Sequence, residues 1–227
     1  MITSTPKAFI FDMDGTMIDS MPYHARSWEA FCSAHGIDMP LAEVLRRTTG
    51  RTARECMVEL FGREVSAEET LVYSNQKEDI YRALFAPVFS EVAGFARFVD
   101  YTVARSLAWG VGTAGDQHNI RFAFGHLKMR HAPQAVVGGD QGWRGKPEPD
   151  IFLAVARGLG VAPQDCVVFE DAPFGIEAAR RAGMRAVGLC TSHRQDELLG
   201  EHVLAHGRNY HELMVNPVLA QWLGLSH

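Results

Sequence analysis

Ala8-Phe9-Ile10-Phe11-Asp12-Met13-Asp14-Gly15-Thr16 is the stretch that decides the fold. Four consecutive apolar residues read as a buried strand. Two carboxylates two residues apart at its end are costly to bury unless something pairs them. Residues i and i+2 of a strand point to the same side. Gly15 allows a tight turn that leaves both acids at the edge of the sheet. Acids clustered there suit a hard cation such as Mg²⁺ and the phosphates it carries, and an aspartate can act as a covalent nucleophile towards phosphorus. A calcium loop is excluded, because Gly15 is fourth where a sixth-position Gly is needed and Tyr23 falls where Glu would be. A turn capped by acids is the plain alternative, and the rest of the chain weighs against it.

Apolar runs recur at Leu107–Val111, Ala135–Val137, Cys166–Phe169 and Ala186–Leu189. Helical patterns separate them, including 151–159 after Pro149-Asp150 and 175–182 before Gly183. Strand alternating with helix predicts an α/β fold, a parallel sheet covered on both faces. Residues 19–90 break the rhythm. Trp28, Phe31 and Cys32 repeat at helical spacing, as do Met57, Leu60 and Phe61, and Ser66-Ala67-Glu68-Glu69 has the form of a capping box. The expected organisation is a core of 1–18 and 91–227 with a helical module, 19–90, inserted after the first strand. A chain that leaves and rejoins the catalytic edge would form a lid.

Bulk properties narrow the class. A chain of 227 residues, 47% hydrophobic, has enough apolar material for a globular core. A formal charge of −5 argues against a general nucleic-acid binder. No apolar stretch is long enough to span a bilayer, and Met1 to Lys7 carries no leader pattern. Cys32, Cys56, Cys166 and Cys190 form no CxxC pair and read as free thiols. The expectation is a cytoplasmic monomer acting on a small molecule.

Ligands in open α/β sheets bind beyond the carboxyl ends of the strands. Asp12 and Asp14 follow the first strand, Thr113 the second, Lys146 lies in the next long loop, and Glu170-Asp171 follow the Cys166 strand. Taken singly, Thr113 reads as a cap, Lys146 as a solvated loop residue and Glu170-Asp171 as a helix entry. Taken together they form a constellation. The four acids carry −4 if ionised, and one Mg²⁺ with Lys146 supplies +3. A proton on Asp14 would neutralise the empty site and make it a general acid. A phosphate dianion needs more positive charge. Backbone N–H groups after Thr113, beginning at Ala114, and the cap cations Arg51, Arg54 and Lys77 are the candidates.

In motif order the chain resembles the haloacid dehalogenase-like superfamily of phosphotransferases, in the branch with a helical cap that holds beta-phosphoglucomutase and many sugar-phosphate phosphatases. The motifs are Phe9 to Thr16, Val111 to Ala114, Gly145 to Phe152 and Val167 to Gly175. The resemblance implies a Rossmann-like core and an aspartyl-phosphate intermediate. It makes Asp12 the nucleophile and Asp14 the acid/base. Asp12, the Asp14 carbonyl, Glu170 and Asp171 would hold Mg²⁺, and Thr113 and Lys146 the phosphoryl oxygens. His24, near the start of the cap, is either a surface histidine or a residue that reaches the site on closure. Lys77 matches a cap lysine of the mutase branch.

A phosphohydrolase acting on a small phosphorylated metabolite, such as a sugar phosphate, is the leading expectation. A hexose-phosphate mutase and an inorganic pyrophosphatase are alternatives, and a binding module without turnover is disfavoured because no catalytic station is missing. The mutase branch places Arg three residues after a cap-loop Gly, and Gly50-Arg51-Thr52-Ala53-Arg54 holds Ala53 there. Asp140 is read as shaping a substrate loop. His202 and His206 have zinc-like spacing, but Val203-Leu204-Ala205 reads as a strand and no third ligand is evident.

Overall fold

A computed structural model of the protein describes residues 5–48 and 52–225. Six strands, β1 (Ala8–Phe11), β2 (Ala108–Gly112), β3 (Ala135–Val137), β4 (Cys166–Glu170), β5 (Arg185–Leu189) and β6 (Val203–Gly207), form one parallel sheet in the order β3-β2-β1-β4-β5-β6. Ten α-helices accompany them among the described residues. These are α1 (Met21–Ala34), α2 (Leu41–Thr48), α3 (Ala53–Phe61), α4 (Ala67–Phe85), α5 (Phe95–Ala104), α6 (Gln117–His126), α7 (Asp150–Leu159), α8 (Pro173–Arg181), α9 (Tyr210–Met214) and α10 (Pro217–Leu223).

β1 is central, and all four of its residues are fully buried. That explains its unbroken apolar run, because a strand covered on both faces has no polar side. Its side chains divide by the period of two. Ala8 and Ile10 join Val168, Phe152, Val155 and Ile176 on the face covered by α7 and α8. Phe9 and Phe11 point the other way, into an aromatic cluster with Phe95, Phe98, Phe169, Tyr210 and Trp222 from α5, β4, α9 and α10. Each such ring contributes about 1.5–3 kcal/mol by leaving water. The sheet is therefore fixed from both sides around the strand that bears Asp12.

Register decides what shares an edge. Phe11 pairs with Val111 of β2 and Phe169 of β4. The ladder runs one step further, with the Asp12 N–H donating to the Phe169 carbonyl at 3.0 Å and the Thr113 N–H to the Val137 carbonyl at 3.0 Å. Asp12, Thr113 and Glu170 thus emerge at the same carboxyl edge.

The chain divides into two compact units, Met1–Asp19 with Ser90–His227, and Ser20–Phe89. In the second, α1 to α4 enclose Phe31, Cys32, Val44, Met57, Leu60 and Val65. Ser66 and Glu69 form the capping box of α4. Two segments depart from the sequence pattern. Helix α8 starts at Pro173, two residues before Gly175, because proline's fixed φ suits a first helical turn. Thr52 is the N-cap of α3 in a second capping box with Glu55, so Ala53 and Arg54 begin a helix rather than end a loop. Among the described residues, no helix is long and apolar enough to cross a membrane.

Candidate active site

After β1 the chain turns sharply. Gly15 has a φ of +74°, its N–H donates to the Ile18 carbonyl at 2.9 Å, and the Met17 N–H donates to the Met13 carbonyl at 2.8 Å. Glycine is required twice over. An L side chain is strained at that φ, and a Cβ at Gly15 would lie 2.2 Å from Asp171 Oδ2.

Lys146 sits where these segments converge. Its Nζ donates to Asp12 Oδ1 at 2.5 Å and to Glu170 Oε1 at 2.7 Å. Its side chain is only 10% exposed, so it is not a solvated loop residue. It also lies 4.7 Å from the centroid of the Phe152 ring, below the sheet edge on α7. The other Glu170 oxygen accepts from the Ala172 N–H at 2.8 Å, which fixes both ends of that carboxylate. Asp12, Glu170 and Asp171 each offer an oxygen, and these lie within 4.8 Å of one another. Asp171 Oδ2 is buried with no hydrogen-bond partner among the described residues.

The charges explain the electrostatics. Three buried acids face one lysine. Burial is the largest influence on Asp12 and, with repulsion from Glu170 and Asp14, lifts its carboxyl to about 7 against the pull of Lys146. Burial, then Glu170 and Asp12, raises Asp171 well above the usual carboxylate range. Burial pulls Lys146 down, but the Asp12 and Glu170 carboxylates outweigh it and keep the ammonium charged. A cluster of hard anionic oxygens, short of positive charge and holding an unpartnered carboxylate oxygen, fits a hard divalent cation.

Thr113 is buried, and its Oγ accepts from the Gly115 N–H at 3.0 Å, which leaves its own O–H to donate. The Ala114 N–H follows in the same turn. The amides of α6 are less available than the sequence suggests. Asp116 accepts from the Asn119 N–H at 2.8 Å and Asp140 from the Gln117 N–H at 3.1 Å. Two carboxylates therefore occupy that helix start, and Asp140 ties the β3 loop to α6. In the same loop, Arg144 makes a two-point pair with Asp150.

The cap candidates belong to the helical unit. Lys77 is buried and donates to His24 Nδ1 at 2.8 Å and to Glu78 Oε1 at 2.8 Å, with Trp28 and Tyr81 rings beside it. An ammonium can only donate, so His24 Nδ1 accepts and the proton of the neutral ring is on Nε2. The His24 ring stacks on Tyr81 at 3.8 Å. Arg54 is tied to Glu64 at 2.9 Å and to the Val65 carbonyl. Arg51 lies outside the described residues. His202 and His206 bond separate carbonyls, those of Ile176 and Leu198, and do not form a zinc pair.

Thr191, Ser192 and His193 had no place in the sequence expectations, although they follow β5 at the same carboxyl edge. Thr191 Oγ1 donates to the Gly15 carbonyl at 2.5 Å and His193 Nδ1 to the Asp171 carbonyl at 2.9 Å. Asking of β5 what was asked of the other strands would have found them.

Gly175 yields a first prediction. A Cβ there would lie 1.8 Å from Glu170 Oε1, on a carboxylate held at both ends. Helix propensity alone favours Ala over Gly by about 1 kcal/mol, but this clash is far larger. Gly175→Ala should lower the melting temperature and weaken divalent-cation binding about tenfold or more. A variant that melts at or above the parent would contradict the packing of Glu170 against α8.

A parallel sheet with a buried carboxylate cluster and a lysine at its carboxyl edge places the chain among Rossmann-like α/β proteins with a polar site at that edge. A family model described as haloacid dehalogenase-like hydrolase matches residues 6–183, and the chain belongs to that family. It is 33% identical over 182 residues to the fructose-1-phosphate phosphatase YqaB of Escherichia coli, covering 79% of this chain and 94% of that one. It is 31% identical over 192 residues to the beta-phosphoglucomutase of Bacillus subtilis, covering 81% and 83%. Among solved structures, a haloacid dehalogenase family IA, variant 3 hydrolase from Entamoeba histolytica superposes with a TM-score of 0.85 at 26% identity, covering 96% of this chain and 99% of that one.

Proposed function

We propose that the protein is a Mg²⁺-dependent phosphatase of small phosphorylated carbohydrates that works through an aspartyl-phosphate on Asp12. The observation that carries this is the Asp12–Lys146–Glu170 bridge beside the unpartnered Asp171 oxygen. Lys146 holds one Asp12 oxygen and leaves the other to bond phosphorus. As that bond forms, the phosphorus–ester oxygen bond breaks, and Asp14 delivers a proton to the leaving oxygen. Asp14 then takes a proton from the water that cleaves the aspartyl-phosphate, releasing phosphate and restoring Asp12. The Thr113 hydroxyl, the Ala114 N–H and Lys146 bind the phosphoryl oxygens. Asp12, the Asp14 carbonyl, Glu170 and Asp171 would hold Mg²⁺, which would neutralise charge on the transferring group.

Among the cap residues, His24 and Lys77 are candidates to contact substrate. Arg51 is a further candidate. Recruiting Arg54 means breaking an exposed ion pair, which costs only about 0–1 kcal/mol. Sugar-phosphate phosphatases among the relatives support the substrate class. The similarity to a beta-phosphoglucomutase keeps transfer to a second sugar hydroxyl as the competing outcome.

A phosphate-release screen over sugar phosphates and pyrophosphate, with and without Mg²⁺, tests the proposal. Mg²⁺-dependent phosphate release without sugar isomerisation is the expected result. Conversion of beta-glucose 1-phosphate to glucose 6-phosphate, primed by a bisphosphate, would instead identify a mutase. Asp14→Asn should reduce turnover about 10²-fold or more while substantially sparing Mg²⁺ binding measured by calorimetry. Equal loss of both would count against an acid/base role.

A further inference from the structure

We propose that Thr191-Ser192-His193 is a clasp that sets the affinity of the site for its divalent cation, with Ser192 as a positioning residue for Asp171. The proposal rests on the cation reading of the carboxylate cluster and adds residues that neither the family motifs nor the carboxylate set includes.

Three successive residues leaving β5 reach two segments more than 150 positions apart in the chain. A carbonyl oxygen only accepts, so the donors are fixed. Thr191 O–H donates to the Gly15 carbonyl, in the turn that carries Asp14, and His193 Nδ1–H donates to the Asp171 carbonyl. Between them, the Ser192 hydroxyl and Asp171 Oδ2 lie against the same point, 2.8 and 2.2 Å from where a Cβ on Gly15 would sit. Those two distances bound their separation at 5.0 Å. Both atoms are buried, and neither has a hydrogen-bond partner among the described residues. Glu170 is pinned by Lys146 and the Ala172 N–H. Asp171 is 3% exposed, and the Ser192 hydroxyl lies beside its carboxylate.

A carboxylate oxygen has lone pairs for both a cation and a hydroxyl donor. The clasp has the Ser192 O–H, within 5.0 Å of Asp171 Oδ2, donate to that oxygen when the cation is bound. Thr191 and His193 hold the two main-chain segments at the spacing this requires. Outer hydrogen bonds of this kind orient ligating carboxylates, and their loss costs about 10- to 100-fold in metal affinity.

Calorimetric titration of the full chain with MgCl₂ tests the clasp, with melting temperature in EDTA measured alongside. Ser192→Ala should raise the Mg²⁺ Kd about tenfold or more, with an EDTA melting temperature close to that of the parent. A purely structural loop would not separate these two readouts. Thr191→Val keeps shape and removes one donor. It should shift the Kd in the same direction, and it carries the test should the alanine variant not fold. Unchanged Mg²⁺ affinity in a folded variant overturns the clasp. Absence of Mg²⁺ binding by the parent chain overturns the cation reading beneath it, and the two failures are distinguishable.

Discussion

Asp12→Asn should abolish phosphate release, by at least about 10³-fold, and should make the cation-free protein more stable at pH 8. Both results have one origin. Asn cannot form an acyl phosphate, so turnover is lost whatever else is retained. Its carbonyl can still accept from Lys146, and one negative charge leaves a cluster in which three acids share a single lysine. The sign follows from proton binding. The Asp12 carboxyl lies at about 7 in the folded chain and near about 3.9 in an unfolded one. Between those values the folded state binds more protons, so stability falls as pH rises from about 4 to about 7. Melting in EDTA across that range should show the decline in the parent and a flatter curve in Asp12→Asn. Asp171, also raised, retains part of the slope. Phosphate release by the Asn variant at parental rates would remove Asp12 from the chemistry.

The polar carboxyl edge of the sheet was legible because its evidence is local. An apolar run, two acids and a glycine specify a buried strand and turn without knowledge of anything distant. Once β1 is central, the register of β2 and β4 delivers Thr113 and Glu170 to the same edge. Side-chain direction was not legible, because spacing along a chain does not say which partner a long side chain finds. Lys77 illustrates this. Its charged neighbours suggest an exposed helix face, yet it is buried between His24, Glu78 and two aromatic rings. The engagement of the α6 amides was not legible either, because Asp140 meets Gln117 only through a tertiary contact. Thr52-Ala53-Arg54-Glu55 carries a plain local signal, a capping box. Thr191, Ser192 and His193 lie outside the motifs, and their roles arise from hydrogen bonds to residues far away in the sequence.

Lys146→Met separates the two duties of the lysine. The substitution keeps length and packing against Phe152 but leaves Asp12 and Glu170 buried without their cation. Removing one partner of a buried ion pair costs about 3–5 kcal/mol. At about 2–4 °C per kcal/mol for a chain of this size, the melting temperature in EDTA should fall by about 10 °C. Protonation of Asp12 limits the loss, so the fall should be smaller at pH 5 than at pH 8. Divalent binding moves the other way. With the competing ammonium gone, the carboxylates attract Mg²⁺ at least as strongly, and saturating Mg²⁺ should restore much of the lost stability. Activity should not return with it, because in the proposed mechanism the lysine also compensates charge on the transferring group. Loss of such a donor costs about 10²–10³ in kcat. A variant that folds, binds Mg²⁺ and turns over slowly would assign Lys146 to catalysis as well as to the fold. Parallel loss of Mg²⁺ binding would mean that the lysine's main task is to hold the acids in place.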